Sequence, residues 1–171
     1  MAGRPKEKTV EAIDRLLAFE DLRNLKARYL QYLDSKQWDK YASLFVEDGV
    51  ISDVRFSVRI EGRGQIRAVV PHVFDNNAIT VHQVHQADIR LQSPTAATGI
   101  WALEEYTTFG KPSEAGAFSV PVRTRHGYGY YVDEFVKVDG EWLFKSLAAE
   151  WTRLDLSGMA ASETCAALLS S

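Results

Sequence analysis

The feature that most constrains the fold is a change of hydrophobic pattern at Glu47-Asp48-Gly49. After this point, long segments rich in β-branched and aromatic residues predict strands. Helices followed by a run of long strands predict an α+β fold, in which a strongly curved, mostly antiparallel sheet folds over N-terminal helices. In the segment before Glu47, apolar residues recur every three or four positions, which is the helical spacing. They are Ile13, Leu16, Leu17, Leu22, Leu25, Tyr29 and Leu33.

The first helix is predicted to start at Val10, after a polar segment 1–9 that we assign to an N-terminal tail. Tyr29 falls on its apolar stripe and is expected to point inward. Asp34 lies at the elbow where the pattern breaks, and a short second helix is expected to run from Trp38 to Phe45. The charged side chains of the first helix are expected to contact water: Arg23, Lys26 and Arg28.

The remaining pattern predicts two short strands at 50–56 and 57–60, and a third helix around Ile66 and Val73. Asp139-Gly140 is a strong hairpin signal between the last two strands. We expect one domain at 10–157 and a C-terminal tail at 158–171. A loop at 110–117 interrupts the four long strands, which are predicted at 79–91, 96–109, 118–138 and 142–156.

Composition limits the classes of function. The chain has 171 residues, 46% of them hydrophobic, which suffices for one core. Its 20 basic and 23 acidic residues give a net charge of −3 without a continuous basic stripe, so we expect no nucleic-acid partner. Cys165 is the single cysteine, and the sequence shows neither a signal peptide nor an apolar run of membrane-spanning length. We therefore expect a cytoplasmic protein without a membrane partner.

Two histidines, His82 and His85, lie in the strand predicted at 79–91. Alternation along a regular strand places His85 on the same face as Ala87 and Ile89. His82 would then lie on the opposite face, and a bulge would be needed for both rings to reach one cavity. A pair spaced i, i+3 on a strand does not converge on an ion and no third ligand is evident, so we expect no metal site.

Carboxylates occupy two further positions of interest. Asp34 ends the first helix, where an aspartate serves either as a turn residue or as a functional group. Glu104 and Glu105 are adjacent in a predicted strand, so one of them points inward and needs a charged partner. Arg153, in the last strand, either supplies that charge or lies on the rim.

Four segments carry a combined pattern that no single residue provides. They are the helix segment from Leu25 through Tyr29 to Asp34 and Trp38, the strand segments 81–85 and 97–105, and the hairpin from Tyr131 to Trp142. Together, over residues 10–156, they resemble the SnoaL-like family of the nuclear transport factor 2-like superfold. Within it, the segments are most similar to bile-acid 7α-dehydratases and also similar to scytalone dehydratases and hexachlorocyclohexane dehydrochlorinases. The resemblance implies a cone-shaped domain that eliminates HX without metal or cofactor.

The resemblance also implies roles for individual residues. Such dehydratases line a cavity with a tyrosine and an aspartate of the first helix, a strand histidine, and an acid on the neighbouring strand. These positions hold Tyr29, Asp34, His82 and Glu105 in this chain, which we take as the candidate catalytic residues. The candidate substrate-binding residues are Arg153, Trp38, Trp101 and His85. Relatives assemble as trimers or dimers, so a homo-oligomer is expected.

These residue types suit acid/base elimination on a small, largely apolar, ring-bearing substrate. Imidazole titrates near neutral pH, which makes His82 the expected base and His85 its alternative. Asp34 would fix the tautomer of the ring, and Tyr29 would polarise the oxygen of the substrate. The same cavity would also serve a ketosteroid-type isomerase, a polyketide cyclase, or a non-catalytic binding module in which Asp34 and His82 are a core pair.

Overall fold

The computed structural model of the chain describes residues 5–74, 78–109 and 122–157. These residues form three helices, namely α1 (Pro5–Asp34), α2 (Trp38–Ser43) and α3 (Arg63–Val73). None of these helices is both long and apolar enough to cross a membrane. The strands are β1 (Phe45–Asp53), β2 (Val58–Glu61), β3 (Ile79–Ser93), β4 (Ala96–Thr108), β5 (Thr124–Val138) and β6 (Glu141–Ser157).

All six strands belong to one sheet with the order β2-β1-β6-β5-β4-β3. Only the β1–β6 pair is parallel among these strands, and the other neighbours run antiparallel. The sheet is curled but not closed, and the helices pack on its concave face. The predicted α+β fold class is therefore confirmed.

Two boundaries in the helical part of the chain differ from the sequence prediction. Helix α1 begins at Pro5, so part of the segment assigned to an N-terminal tail is helical. Phe45 opens β1 instead of ending α2, because it pairs in parallel with Phe144 and the backbone NH of Phe144 donates to the carbonyl of Leu44. The predicted loop at 110–117, the start of the strand predicted at 118–138, and the tail at 158–171 lie outside the described residues.

The apolar stripe of α1 is buried only in its second half. The core begins at Ala18 and continues along the helix through Leu22, Leu25, Tyr29 and Leu33. The first half was predicted to belong to the same stripe but lies outside the packed core. Its large apolar side chains are about half or more exposed: Ile13 at 49%, Leu16 at 66% and Leu17 at 58%.

Lys26 was predicted to contact water, and that prediction is wrong. Its side chain is fully buried, with Nζ 2.9 Å from Oδ2 of Asp133 and 3.7 Å from the ring centroid of Tyr131. Position 26 lies on the buried side of α1 between Leu22 and Tyr29, so its charge requires a partner inside the sheet. Burial lowers the pKa of Lys26 to about 8 and raises that of Asp133 to about 6.

Candidate active site

A cavity opens between the concave face of the sheet and the helices. The cavity has a volume of about 100 Å³, which is smaller than the sites of about 300–1,000 Å³ that hold drug-sized ligands. Three polar or charged side chains from successive strands converge on it, His82 of β3, Glu105 of β4 and Arg125 of β5. The surrounding walls are mainly apolar and include Leu33, Ile51, Val58, Ile60, Val70 and Leu147.

An irregularity in β3 decides which histidine faces this cavity. The register with β4 shifts between Val84 and Ala87, so residues on the two sides of the shift differ in parity. His82 therefore points inward together with Ala87, and its side chain is only 2% exposed. His85 points to the outer face, where its Nε2 lies 3.8 Å from Oε2 of Glu104. The shift does not bring both rings to one cavity, and His82 is the histidine that lines it.

Asp34 holds His82 through two contacts. The imidazole Nδ1 lies 2.6 Å from Oδ1, and the backbone NH of His82 donates to Oδ2 at 2.9 Å. Burial alone opposes the charged carboxylate, but the hydrogen bonds and charge of His82, with a further hydrogen bond from Thr80, hold the pKa of Asp34 below its usual range. An ionised carboxylate only accepts hydrogen bonds, so the proton of the neutral imidazole lies on Nδ1. Its Nε2 is then a lone-pair acceptor on the cavity side.

Glu105 is the inward member of the acidic pair, and its partner is Arg125. The Arg125 Nε donates to Oε1 of Glu105 at 2.8 Å, and Arg125 Nη2 and the Thr107 hydroxyl donate to the same oxygen. Burial opposes ionisation of Glu105, but the charges of Arg125 and His82 and these hydrogen bonds lower its pKa. The other oxygen, Oε2, lies 3.9 Å from Nε2 of His82. The carboxylate is therefore placed to stabilise a charged imidazolium.

Arg125 is a site residue that the sequence prediction missed. Its guanidinium carbon lies 5.9 Å, 5.6 Å and 5.6 Å from the ring centroids of Phe56, Phe74 and Trp151. A signal was present in the sequence, because Arg125 alternates in step with Tyr131 and so belongs to the inward face of β5.

Trp151 forms a wall of the cavity through a close approach to β5. Its Nε1 donates to Oδ2 of Asp53 at 2.8 Å, which fixes the indole across β1. The ring lies over Gly127, where an added Cβ would collide with the indole carbons. A glycine at this position therefore leaves the space that the aromatic wall occupies.

Tyr29 lines the cavity from the α1 side and is 3% exposed. Its ring packs against those of Tyr41 and Tyr131, with centroids 5.1 Å and 5.7 Å away. Burial, reinforced by Tyr131, raises the pKa of the Tyr29 phenol well above its ordinary value. The phenol therefore stays protonated, and its hydroxyl is hydrogen-bonded to Tyr41 and Tyr131.

Arg153, predicted to contact substrate, lies on the outer face. The register between β5 and β6 shifts between Tyr128 and Gly129, whose partners are Arg153 and Trp151. This shift reverses the parity that would have placed Arg153 on the same face as Trp151. The Arg153 side chain is 69% exposed, and its Nε contacts Oδ2 of Asp155 at 2.9 Å. Arg125, and not Arg153, is the arginine of the cavity.

The other predicted substrate contacts are also not among the residues that line the cavity. The ring of His85 lies on the outer face of the sheet. Trp38 packs edge-on against Tyr41 at the start of α2, and Trp101 is buried near Lys26. Over the described ranges, no group of three His, Cys, Asp or Glu side chains is arranged to hold a metal ion.

The family model of the SnoaL-like domain matches residues 14–148 of the chain. This chain belongs to the SnoaL-like family. The match lies within the domain predicted at 10–157 and includes Tyr29, Asp34, His82, Glu105 and Arg125.

Solved structures agree with the fold of this SnoaL-like domain. A protein from Novosphingobium aromaticivorans, provisionally named scytalone dehydratase, superposes with a TM-score of 0.73 at 22% identity, over 88% of this chain and 94% of its own. The hexachlorocyclohexane dehydrochlorinase LinA-type3 from Novosphingobium barchaimii gives 0.70 at 16%, over 86% and 94%. ActVI-ORFA from Streptomyces coelicolor gives 0.63 at 20%, over 79% and 97%.

Proposed function

We propose that this SnoaL-like protein is a cofactor-independent lyase that eliminates water or another HX from a small, largely apolar, ring-bearing substrate. The observation that carries the proposal is the hydrogen bond between Asp34 and His82 at the polar end of an apolar cavity. Two of the structural relatives are named for eliminations, one as a dehydratase and one as a dehydrochlorinase.

His82 is the proposed base. With its Nδ1–H donated to Asp34, its Nε2 lone pair is available to remove a proton from a carbon of the bound substrate. The positive charge that then forms on the ring is stabilised by Asp34 at Nδ1 and by Glu105 near Nε2. As the C–H bond breaks, its electron pair forms the new double bond or an enolate.

The leaving group departs with its bonding pair and takes up a proton. Tyr29 donates a hydrogen bond to the substrate oxygen where negative charge develops, and keeps its own proton because the pKa of its phenol is raised. The imidazolium of His82 then returns its proton to the departing oxygen, so water leaves and the neutral base is restored. No redox partner is required for this balance.

The walls of the cavity support an apolar substrate without a net negative charge. Arg125 already donates two hydrogen bonds to Glu105, so its charge is balanced within the site. A substrate carboxylate would have to compete with that buried pair. The apolar residues of β1, β2 and α3, among them Ile51, Val58 and Val70, offer contact area to a hydrocarbon ring.

Isomerisation in the same cavity is the second candidate. An isomerase would use the same proton removal by His82 and the same donor at Tyr29, but would return the proton to a different carbon. The cavity beside His82, although small, supports both enzymatic candidates over an assembly module, for which a completely filled interior would be expected. An assembly of two or three copies and a cytoplasmic location stay predictions.

The test is a thermal-shift screen with steroids, bile acids and aromatic hydroxy-ketones, followed by mass spectrometry and NMR of each stabilising ligand after incubation. A lyase yields a product lighter than its substrate by the mass of HX. An isomerase yields a product of unchanged mass with a moved double bond. Stabilising ligands that are recovered unchanged would reject both activities and favour the binding module.

A further inference from the structure

Lys36, in the C-terminal cap of α1, has a backbone conformation that favours glycine. Lys36 has a positive φ of 59°, and its NH donates to the carbonyl of Leu33 at 3.2 Å. The next NH, of Gln37, donates to the carbonyl of Tyr32 at 2.8 Å, which completes a helix C-cap of the type that usually has glycine at this position. A lysine here costs conformational energy that glycine would not, and such outliers often reflect a functional constraint.

The cap directs the Lys36 side chain toward the candidate active site. Its Nζ donates a hydrogen bond of 2.8 Å to Oγ1 of Thr80, a buried residue of β3. The ammonium also lies 5.7 Å and 5.5 Å from the ring centroids of Trp38 and Phe74, which confine it between two aromatic faces.

The contact with Lys36 fixes the direction of the Thr80 hydroxyl. An ammonium group can only donate, so Thr80 must accept from it and has one proton of its own to donate. That proton goes to Oδ1 of Asp34, at 2.8 Å. The same carboxylate oxygen receives Nδ1–H of His82 at 2.6 Å. A continuous chain of donors therefore runs from Lys36 through Thr80 to the Asp34–His82 pair.

We propose that Lys36 and Thr80 are positioning residues that orient and charge-stabilise the Asp34 carboxylate, and so fix the tautomer and orientation of His82. This inference rests on the proposed function in assigning His82 as the base. The chain of hydrogen bonds from Lys36 through Thr80 and Asp34 to His82, which we call the relay, can be measured without a substrate.

The groups around Asp34 determine in which direction its pKa should change when the relay is broken. Among the described residues, His82 contacts the carboxylate from β3, Lys36 reaches it from the elbow through Thr80, and the Glu105–Arg125 pair lies beyond the imidazole. The hydrogen bond from Thr80 is one of the contacts that lower the pKa of Asp34. Losing it, or losing the ammonium that directs it, should therefore raise that pKa.

Four variants of the full chain separate the relay from the stability of the fold. Thr80→Val removes the hydroxyl at nearly constant volume, and Thr80→Ser retains it. Lys36→Met removes the charge at similar length, and Lys36→Gly removes it while relieving the positive φ. The readouts are ¹³C NMR titration of the Asp34 carboxyl, the Nδ1–H resonance of His82, and the melting temperature.

The relay predicts that Thr80→Val, Lys36→Met and Lys36→Gly raise the pKa of Asp34 and broaden or lose the His82 Nδ1–H signal. Thr80→Ser should match the wild type in both readouts. Lys36→Gly should melt at or above the wild-type temperature, so its effect on the site cannot come from unfolding. With a substrate from the screen, each disruptive variant should lose roughly tenfold in kcat with little change in KM.

The relay would be overturned if Asp34 had its wild-type pKa and His82 its wild-type Nδ1–H signal in both Lys36 variants. This holds whatever Thr80→Val does. The predicted NMR changes in a protein that eliminates nothing from any ligand would support the relay and reject the proposed function. The two ideas therefore fail in different measurements.

Discussion

Asp34 and His82 are 48 positions apart in sequence, and both oxygens of the Asp34 carboxylate contact the histidine. One accepts the backbone NH of His82 at 2.9 Å, and the other lies 2.6 Å from Nδ1 of its ring. The backbone bond ties the end of α1 to β3, so the geometry of the side-chain bond depends on the packing of the whole helix. Fold and site are thus coupled at this pair.

The base and its orienting acid are expected to act as one unit. His82→Ala and Asp34→Asn should each lower kcat by roughly 10²-fold or more, and the double variant should lose little beyond the larger single loss. Steady-state kinetics on a substrate from the ligand screen would measure the three losses.

His85→Ala provides the matched control, because this ring lies on the outer face of the same strand and 58% of it is exposed. Its activity and melting temperature should equal those of the wild type. Loss of turnover in His85→Ala with retention in His82→Ala would transfer the role of base to His85.

Tyr29→Phe should reduce kcat less than His82→Ala does. The substitution removes one hydroxyl but keeps the tilted and edge-on contacts of the ring with Tyr41 and Tyr131, so the fold should survive. Thermal melts together with kinetics would separate the two effects. A kcat equal to that of the wild type would exclude the phenol from the polarisation of substrate.

The order of elements could be predicted from the sequence because hydrophobic period and turn chemistry are local properties. The helix-to-strand switch near Gly49 and the hairpin at Asp139-Gly140 are both present in the structure. Tyr29, His82 and Glu105 line the cavity, as the family resemblance implied. Asp34 is not among the lining residues and instead contacts the ring of His82. Their catalytic roles stay predictions.

The face of the sheet on which a side chain lies could not be predicted where a strand departs from regular pairing. One register shift in β3 turns His85 outward, and another between β5 and β6 does the same to Arg153. Each shift depends on pairing with a distant strand, which alternation along a single segment cannot show. Lys26 was misjudged for a related reason, since its partner Asp133 lies 107 positions away on β5.

Removing one member of the buried pair of Lys26 and Asp133 should destabilise the protein more than removing both. Lys26→Met leaves the Asp133 carboxylate buried without its partner and should cost about 3–5 kcal/mol of unfolding free energy. The double variant Lys26→Met/Asp133→Leu removes both charges and should recover most of that loss. Urea unfolding at pH 7 would measure both. A double variant less stable than Lys26→Met would contradict this account.

The same pair predicts a specific pH dependence. The pKa of Asp133 is raised from 3.8 to about 6, so between these pH values Asp133 is protonated in the native state and ionised in the unfolded chain. The free energy of unfolding therefore falls as pH rises from about 3.8 to 6. Because the pKa of Lys26 is lowered from 10.5 to about 8, the unfolded chain binds the extra proton above pH 8, and stability rises with pH there. Relative to the double variant, wild-type stability should be lowest between about pH 6 and 8.

Arg125 should matter for stability where Arg153 does not. Arg125→Met leaves Glu105 ionised and buried and should cost about 3 kcal/mol or more, whereas exposed Arg153→Met should stay within about 0.5 kcal/mol of wild type. The pKa of Glu105 is lowered from 4.5, so its pairing contributes fully above that pH and is lost as pH falls through the lower native value. The destabilisation by Arg125→Met should therefore shrink in acid, as urea titrations at pH 7 and pH 3 would show.

Proton removal from carbon by His82 is the central claim, and transfer of deuterium tests it most directly. A ligand that stabilises the protein is incubated in D₂O with the wild type and with His82→Ala, and NMR follows the ligand's acidic C–H positions and the appearance of the unsaturated product. We predict that the wild type exchanges or eliminates that proton and that His82→Ala slows both by roughly 10²-fold or more. Equal rates in the two proteins, with both folded, would contradict the claim.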